Sequence, residues 1–166
     1  MAFTYDQTQV TKREYDIYIV KTGVASLAIG TNIETTAVLI GVLAEQPKIT
    51  IDKGEDVPLN TGAKVVISEN ITFEGVLYEV TSLNYAELRK LIGETATIWM
   101  ADGTPTVSGS ELVVNSTVGS QLIKITNMAL YSGLEILGNG QNKINLSAEL
   151  EAGVSDANVT ITETLT

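Results

Sequence analysis

Two absences set the chemistry open to this chain. It contains no Cys and no His. Thiolate nucleophiles, disulfides, imidazole bases and the usual zinc and haem ligands are therefore out of reach. Carboxylates, hydroxyls and amines remain. Glu149 and Glu151 are two apart, so on a strand both point to one face with Asn145 and Ser147. Glu74 and Glu79 form a second, looser pair. Paired carboxylates can do acid–base work, but like charges two apart on an open strand face are more often simply solvated. No spacing joins them to a nucleophile, so a non-enzymatic chain is expected. Asp52-Lys53-Gly54-Glu55-Asp56 has oxygen ligands beside a glycine, as calcium loops do. It lacks EF-hand spacing and has Lys53 inside it, so it reads as a solvated interaction loop. Neither metal nor cofactor is expected. Trp99, the only tryptophan, suits a core or a subunit interface, because indole carries a large apolar surface.

Charge narrows the partners. Ten basic against twenty acidic residues give a formal net charge of −10. Such a chain does not grip nucleic acid through its phosphates, but it suits a surface that must not stick to them. Four Asn-x-Ser/Thr matches, at Asn70, Asn115, Asn145 and Asn158, are what a Thr-rich chain produces by chance. The N-terminus, Met1 to Asp6, is polar and lacks a basic n-region and an apolar h-region, so no signal peptide is expected. No apolar run is long enough for a spanning helix.

The elements that must position these residues are mostly strands. The 166 residues suit a single domain, and 53 of them are Thr, Val or Ile, types that fill pleated sheets and cost helices χ1 entropy. Residues 1–14 read as an extended polar arm in which only Phe3, Tyr5 and Val10 could dock. Residues 15–166 read as one domain. Strands are expected over Tyr15–Val20, Ser26–Ile29, Ala37–Leu43, Lys48–Asp52, Lys64–Ser68, Ile71–Val80, Ala96–Met100, Glu111–Val118, Gln121–Tyr131, Leu134–Leu137, Lys143–Glu151 and Asn158–Glu163. The apolar runs 26–29 and 37–43 suggest burial on both faces. Asp52 to Asn60 reads as a turn-rich loop, and Gly75 as a bulge. One helix is signalled over 84–92. Asn84 would cap it, Glu87 would complete a capping box, and Gly93 would end it. Leu88, Leu91 and Ile92 would form its apolar stripe. Short strands at 8–12-residue spacing predict a mainly β fold, a sandwich or barrel of short antiparallel strands with this one flanking helix.

The order of these features carries a resemblance. A polar arm leads into strands. The Gly-bounded loop Ile51 to Gly62 precedes the strand pair Lys64 to Val80. The capped helix Asn84 to Ile92 runs into Gly93-Glu94-Thr95-Ala96-Thr97-Ile98. Then follow Leu122-Ile123-Lys124-Ile125-Thr126-Asn127-Met128-Ala129-Leu130, Leu134-Glu135-Ile136, a Gly-Asn-Gly turn, and Lys143-Ile144-Asn145-Leu146-Ser147-Ala148-Glu149-Leu150-Glu151-Ala152. From about residue 15 onward this pattern resembles the major tail tube proteins of tailed bacteriophages, whose fold is shared with inner tubes of contractile injection systems. It is a match of element order, without a diagnostic short motif.

The resemblance implies rings, typically hexameric, stacked into a hollow tube through which the genome leaves. It implies a homo-oligomer in the virion tail, assembled in the bacterial host cytoplasm. Tape-measure, tail-terminator and baseplate proteins, with or without a sheath, would be its partners, and DNA would pass without specific binding or membrane contact. Glu74, Glu79, Glu149 and Glu151 are then candidates to face the lumen. Phe3, Tyr5, Asp52, Lys53, Glu55 and Asp56 are candidates for contacts between rings. Two other readings stay open: another virion subunit, such as a terminator, baseplate hub or decoration protein, and a non-catalytic sandwich that binds a ligand. The second would need an aromatic platform, and one Trp, six Tyr and two Phe supply none in a row. Deleting residues 1–14 should leave the domain folded but block tube growth, because the arm lies outside the expected core. Electron microscopy of the truncated protein checks this, and normal tubes would remove the arm from the inter-ring contacts.

Overall fold

The computed structural model describes residues 14–24, 26–30, 32–43, 47–53, 56–62, 64–66, 69–78, 82–102, 105–114, 120–131, 135–137, 143–151 and 159–163. Phe3, Tyr5, Glu55 and Glu79 lie outside them, as does the arm apart from Glu14. The strands are β1 (Asp16–Lys21), β2 (Ile29–Gly30), β3 (Ala37–Leu43), β4 (Lys48–Lys53), β5 (Asp56–Pro58), β6 (Lys64–Val66) and β7 (Glu69–Tyr78). The helix α1 (Ser82–Lys90) follows. Then come β8 (Thr95–Ala101), β9 (Pro105–Ser108), β10 (Glu111–Val114), β11 (Gln121–Leu130), β12 (Glu135–Leu137), β13 (Lys143–Leu150) and β14 (Val159–Glu163). The fold is mainly β, as the composition demands.

Six strands close on themselves. The hydrogen-bonded order β13-β11-β8-β1-β3-β7 returns to β13 through seven β7–β13 pairs, from Lys143↔Tyr78 to Glu149↔Thr72. All six junctions are antiparallel. Two junctions are narrow: β3–β7 has two pairs and β11–β13 has three. At each narrow seam a strand spends its other half on an outlying partner. β7 pairs with β4 over Glu69–Glu74, and β11 pairs with β14 over Gln121–Ile125. β12 adds to β13. The two-residue β2 is parallel to β3, the one departure from the antiparallel expectation.

Alternation sorts the side chains into two cores. Ile17 and Ile19 of β1 point into the barrel with Val38, Ile40, Ile71, Phe73, Leu77, Ile98, Met100, Ile125, Ile144 and Leu146. Tyr18 and Val20 point outward into a second cluster with Leu27, Trp99, Leu112 and Leu122. The hairpin β9–β10 covers that outer face. No strand was expected between residues 100 and 111, where β9 lies.

Several other expectations are corrected. Gly75 is no bulge, since it pairs in register with Leu146. The shifts fall between Ile17 and Tyr18 against β3, and between Ile125 and Met128 against β8. The second contains Asn127, whose φ is +58°. There β11 turns from β14 toward β13, and the one extra residue bends it at the seam. Asp52 to Asn60 is not simply a loop: its first two residues end β4, and β5 pairs with β6. Residues 26–28 form no strand, and Ile29 and Leu39 are exposed, so neither run is buried on both faces.

The helix starts at Ser82, so Asn84 sits in its first turn and is not the cap. It ends at Lys90, and Ile92 is exposed beyond it. The last turn tightens, with Leu91 N–H bonding Leu88 O and Ile92 N–H bonding Arg89 O. Gly93, at φ +84°, then reverses the chain. Leu88 and Leu91 enter the barrel core beside Ile33. Glu87 does not act within a capping box. It is buried, its Oε2 accepts from Ile33 N–H at 3.1 Å, and its Oε1 accepts from Lys90 Nζ at 2.7 Å. The Lys90 and Ile33 bonds hold its carboxyl below the ordinary value of 4.5, burial opposing them.

Two predictions follow from these contacts. A depressed carboxyl contributes stability above its unfolded pKa and loses it as pH falls through the folded one. Glu87→Ala should therefore destabilise by about 1–3 kcal/mol at pH 7, because Ile33 N–H is left buried and unpaired. The deficit should shrink as the pH drops below the ordinary Glu value, which denaturant titrations at pH 7 and in acid can measure. At the seam, Asn127→Val should cost about 1–3 kcal/mol, since a β-branched residue resists positive φ, whereas Asn127→Gly should be far milder. Equal losses for both would mean that backbone conformation is not what Asn127 supplies.

Candidate functional site

The two outer faces of the barrel differ. The face of β1, β8 and β11 carries a buried apolar cluster beneath its hairpin. The outer face of β4, β7 and β13 carries no buried cluster among the described residues. Its register gives two clear rows: Lys48–Glu74–Ser147 and Thr50–Thr72–Glu149. Residues between these positions, Ile49, Phe73 and Ala148, point to the core. Strand alternation thus builds a polar wall directly from the sequence.

Glu74 and Glu149 are brought together on this wall. Both are exposed, and they are diagonal neighbours across β7–β13, a relation that puts their Cβ atoms within about 7–8 Å. Lys48 and Ser147 stand opposite Glu74, and Thr72 stands opposite Glu149. Among the described residues no group of three or more Asp or Glu could hold a metal ion. Glu151 continues the same alternation just past β13 and is exposed. It is tied sideways, accepting from Thr95 Oγ1 at the start of β8, while its N–H donates to Asn127 O at 3.1 Å. Glu79 belongs to no described part of the wall. The sequence reading missed Lys48, which the register sets directly across from Glu74 and which tempers the charge of that row. Only the β4–β7 register could have revealed it.

The candidates for ring contacts are spread more widely. Asp52 and Lys53 end β4, and Asp56 begins β5. β4 and β14 each pair on one side only among the described residues. Ile51 of β4 is 51% exposed and Ile161 of β14 is 59% exposed. Both occupy inward-facing register positions, opposite Ile71 and Ile123, on strands that overhang the barrel. Unpaired, β-branched sheet ends of this kind are open to pairing with another chain. Compared with family models and with curated proteins, the chain matches none.

Proposed function

We propose that this chain is a structural subunit of a tube that conducts nucleic acid, of the kind its element order resembles. The observation that carries the reading is the polar outer face of β4, β7 and β13, over which no buried cluster lies among the described residues. An antiparallel sheet can turn one face to water, and here that face carries Lys48, Thr72, Glu74, Ser147 and Glu149. A tube needs one that neither packs nor adheres. Facing a lumen, Glu74 and Glu149 would recur in every subunit and ring. Such a wall repels phosphate, whereas lysines in their place would bind it and release counterions. The overhanging strands β4 and β14 support self-assembly, because a head-to-tail contact closes into rings and stacked rings make a filament. In this reading the protein resides in a virion tail after assembly in the host cytoplasm. Its neighbours there are copies of itself and the tape-measure, terminator and baseplate proteins. The arm and the 52–56 segment would reach between rings.

Charge reversal tests the lumen assignment. Glu74→Lys with Glu149→Lys should leave assembly intact on negatively stained grids. The assembled particles should now retain duplex DNA at low salt and release it as salt rises. Intact assemblies that ignore DNA at every salt would place this face on the outside. A protein that stays a 17.7 kDa monomer at high concentration would overturn the tube reading itself.

A further inference from the structure

Beneath the β9–β10 turn, on the covered side of the barrel, lies a cleft of about 110 Å³. It is lined by donors. Lys21 comes from the end of β1, Thr97 and Trp99 from β8, Ser110 from the hairpin turn and Lys124 from β11. Two of the ten basic residues in a chain of net charge −10 therefore meet at one small opening. The one carboxylate in the lining, Glu111, and Lys124 engage each other, since both Glu111 oxygens accept from Lys124 Nζ at 2.7 and 2.8 Å. Lys21 is held more loosely, 3.5 Å from Glu94 Oε2, beyond the usual length of a charge-assisted bond. Trp99 is only 3% exposed, and its Nε1 is buried with no hydrogen-bond partner. Lys124 Nζ stands 6.0 Å from the centroid of its ring. A buried indole N–H without an acceptor is a deficit that a bound acceptor would make good.

We propose that this cleft binds a carboxylate group. The donor set calls for an anion with oxygen acceptors: Lys21, loosely held by Glu94, supplies charge, Lys124 adds its own by exchanging Glu111 for the ligand, and Ser110 and Thr97 supply hydroxyls. The volume admits only a short chain behind the carboxylate, and Val20 and Leu27 give that chain an apolar wall. A free acid and an acidic side chain present the same atoms to the cleft. This site lies on the face opposite the acidic wall and does not depend on the tube reading.

Trp99 is the only tryptophan, so its indole N–H resonance reports this cleft alone. The protein is titrated at constant ionic strength with propionate, with propionamide as its neutral counterpart, and with a blocked tripeptide carrying a central Glu. Propionate should shift the resonance saturably, in the millimolar range expected for so few atoms, and propionamide should not. Lys124→Gln and Lys21→Gln should each weaken binding about tenfold, the scale of one charge-assisted bond. Lys48→Gln, on the opposite wall, should leave it unchanged. Tighter binding of the tripeptide than of propionate would assign the natural carboxylate to a protein segment, and the reverse to a free acid. A linear response, an equal response to propionamide, or an equal loss in Lys48→Gln would overturn the proposal.

Discussion

β1 and β8 have no solvent face, and the rest of the molecule is arranged around that constraint. Ile17, Ile19, Ile98 and Met100 fill the barrel, while Tyr18, Val20, Trp99 and Ala101 fill the cluster outside it. A strand buried on both sides cannot shift register by one residue without exchanging its two apolar sets between differently shaped cores. The pair β1–β8 runs through six consecutive registered residues without a bulge. The irregularities sit one strand away on either side, at the contacts with β3 and β11. Rigidity at the centre and bending at the flanks is what closure of a small barrel requires.

That asymmetry explains why the outer faces diverge. An apolar outward face has to be covered, and the β9–β10 hairpin and Leu27 cover it. The helix serves the barrel interior instead, with Leu88 and Leu91 inserted and Glu87 holding the Ile33 turn. On the far side, Thr72, Glu74, Ser147 and Glu149 need no cover, because their side chains are content in water. One sheet therefore carries a three-layer half and a two-layer half. Among the described residues the two-layer half turns polar side chains outward, and the covered half holds the cleft where Lys21 and Lys124 meet.

Much of this was legible in the sequence, and what was not has identifiable causes. Continuous runs such as Tyr15 to Val20 and Ala96 to Met100 announced strands, because β-branched and aromatic residues crowd them. The outward parity of Glu149 and Glu151 followed from period two alone. Closure did not, since β7 meets β13 through pairings that no local pattern encodes. Gly75 looked like a bulge because glycine often marks one, yet the bend was placed at Asn127, a residue that tolerates positive φ nearly as well. The helix start was misplaced by two residues because Asn84 and Glu87 mimic a capping box, while Glu87 answers to Ile33 from a distant segment. Pro105 hid a strand because proline is acceptable at a strand's first residue.

The pairing of Thr72 with Glu149 also fixes when this protein can exist. β7 is complete before half the chain has been synthesised, but the strand that closes the barrel against it is nearly the last to be made. Until then β7 has β3 and β4 on one side and nothing on the other, with Phe73 and Leu77 uncovered. Non-local closure of this kind folds slowly and leaves a window for unwanted association. A nascent chain must cross that window before its own barrel is shut. The wall built on β7 and β13 consequently appears only once β13 has been made and paired with β7.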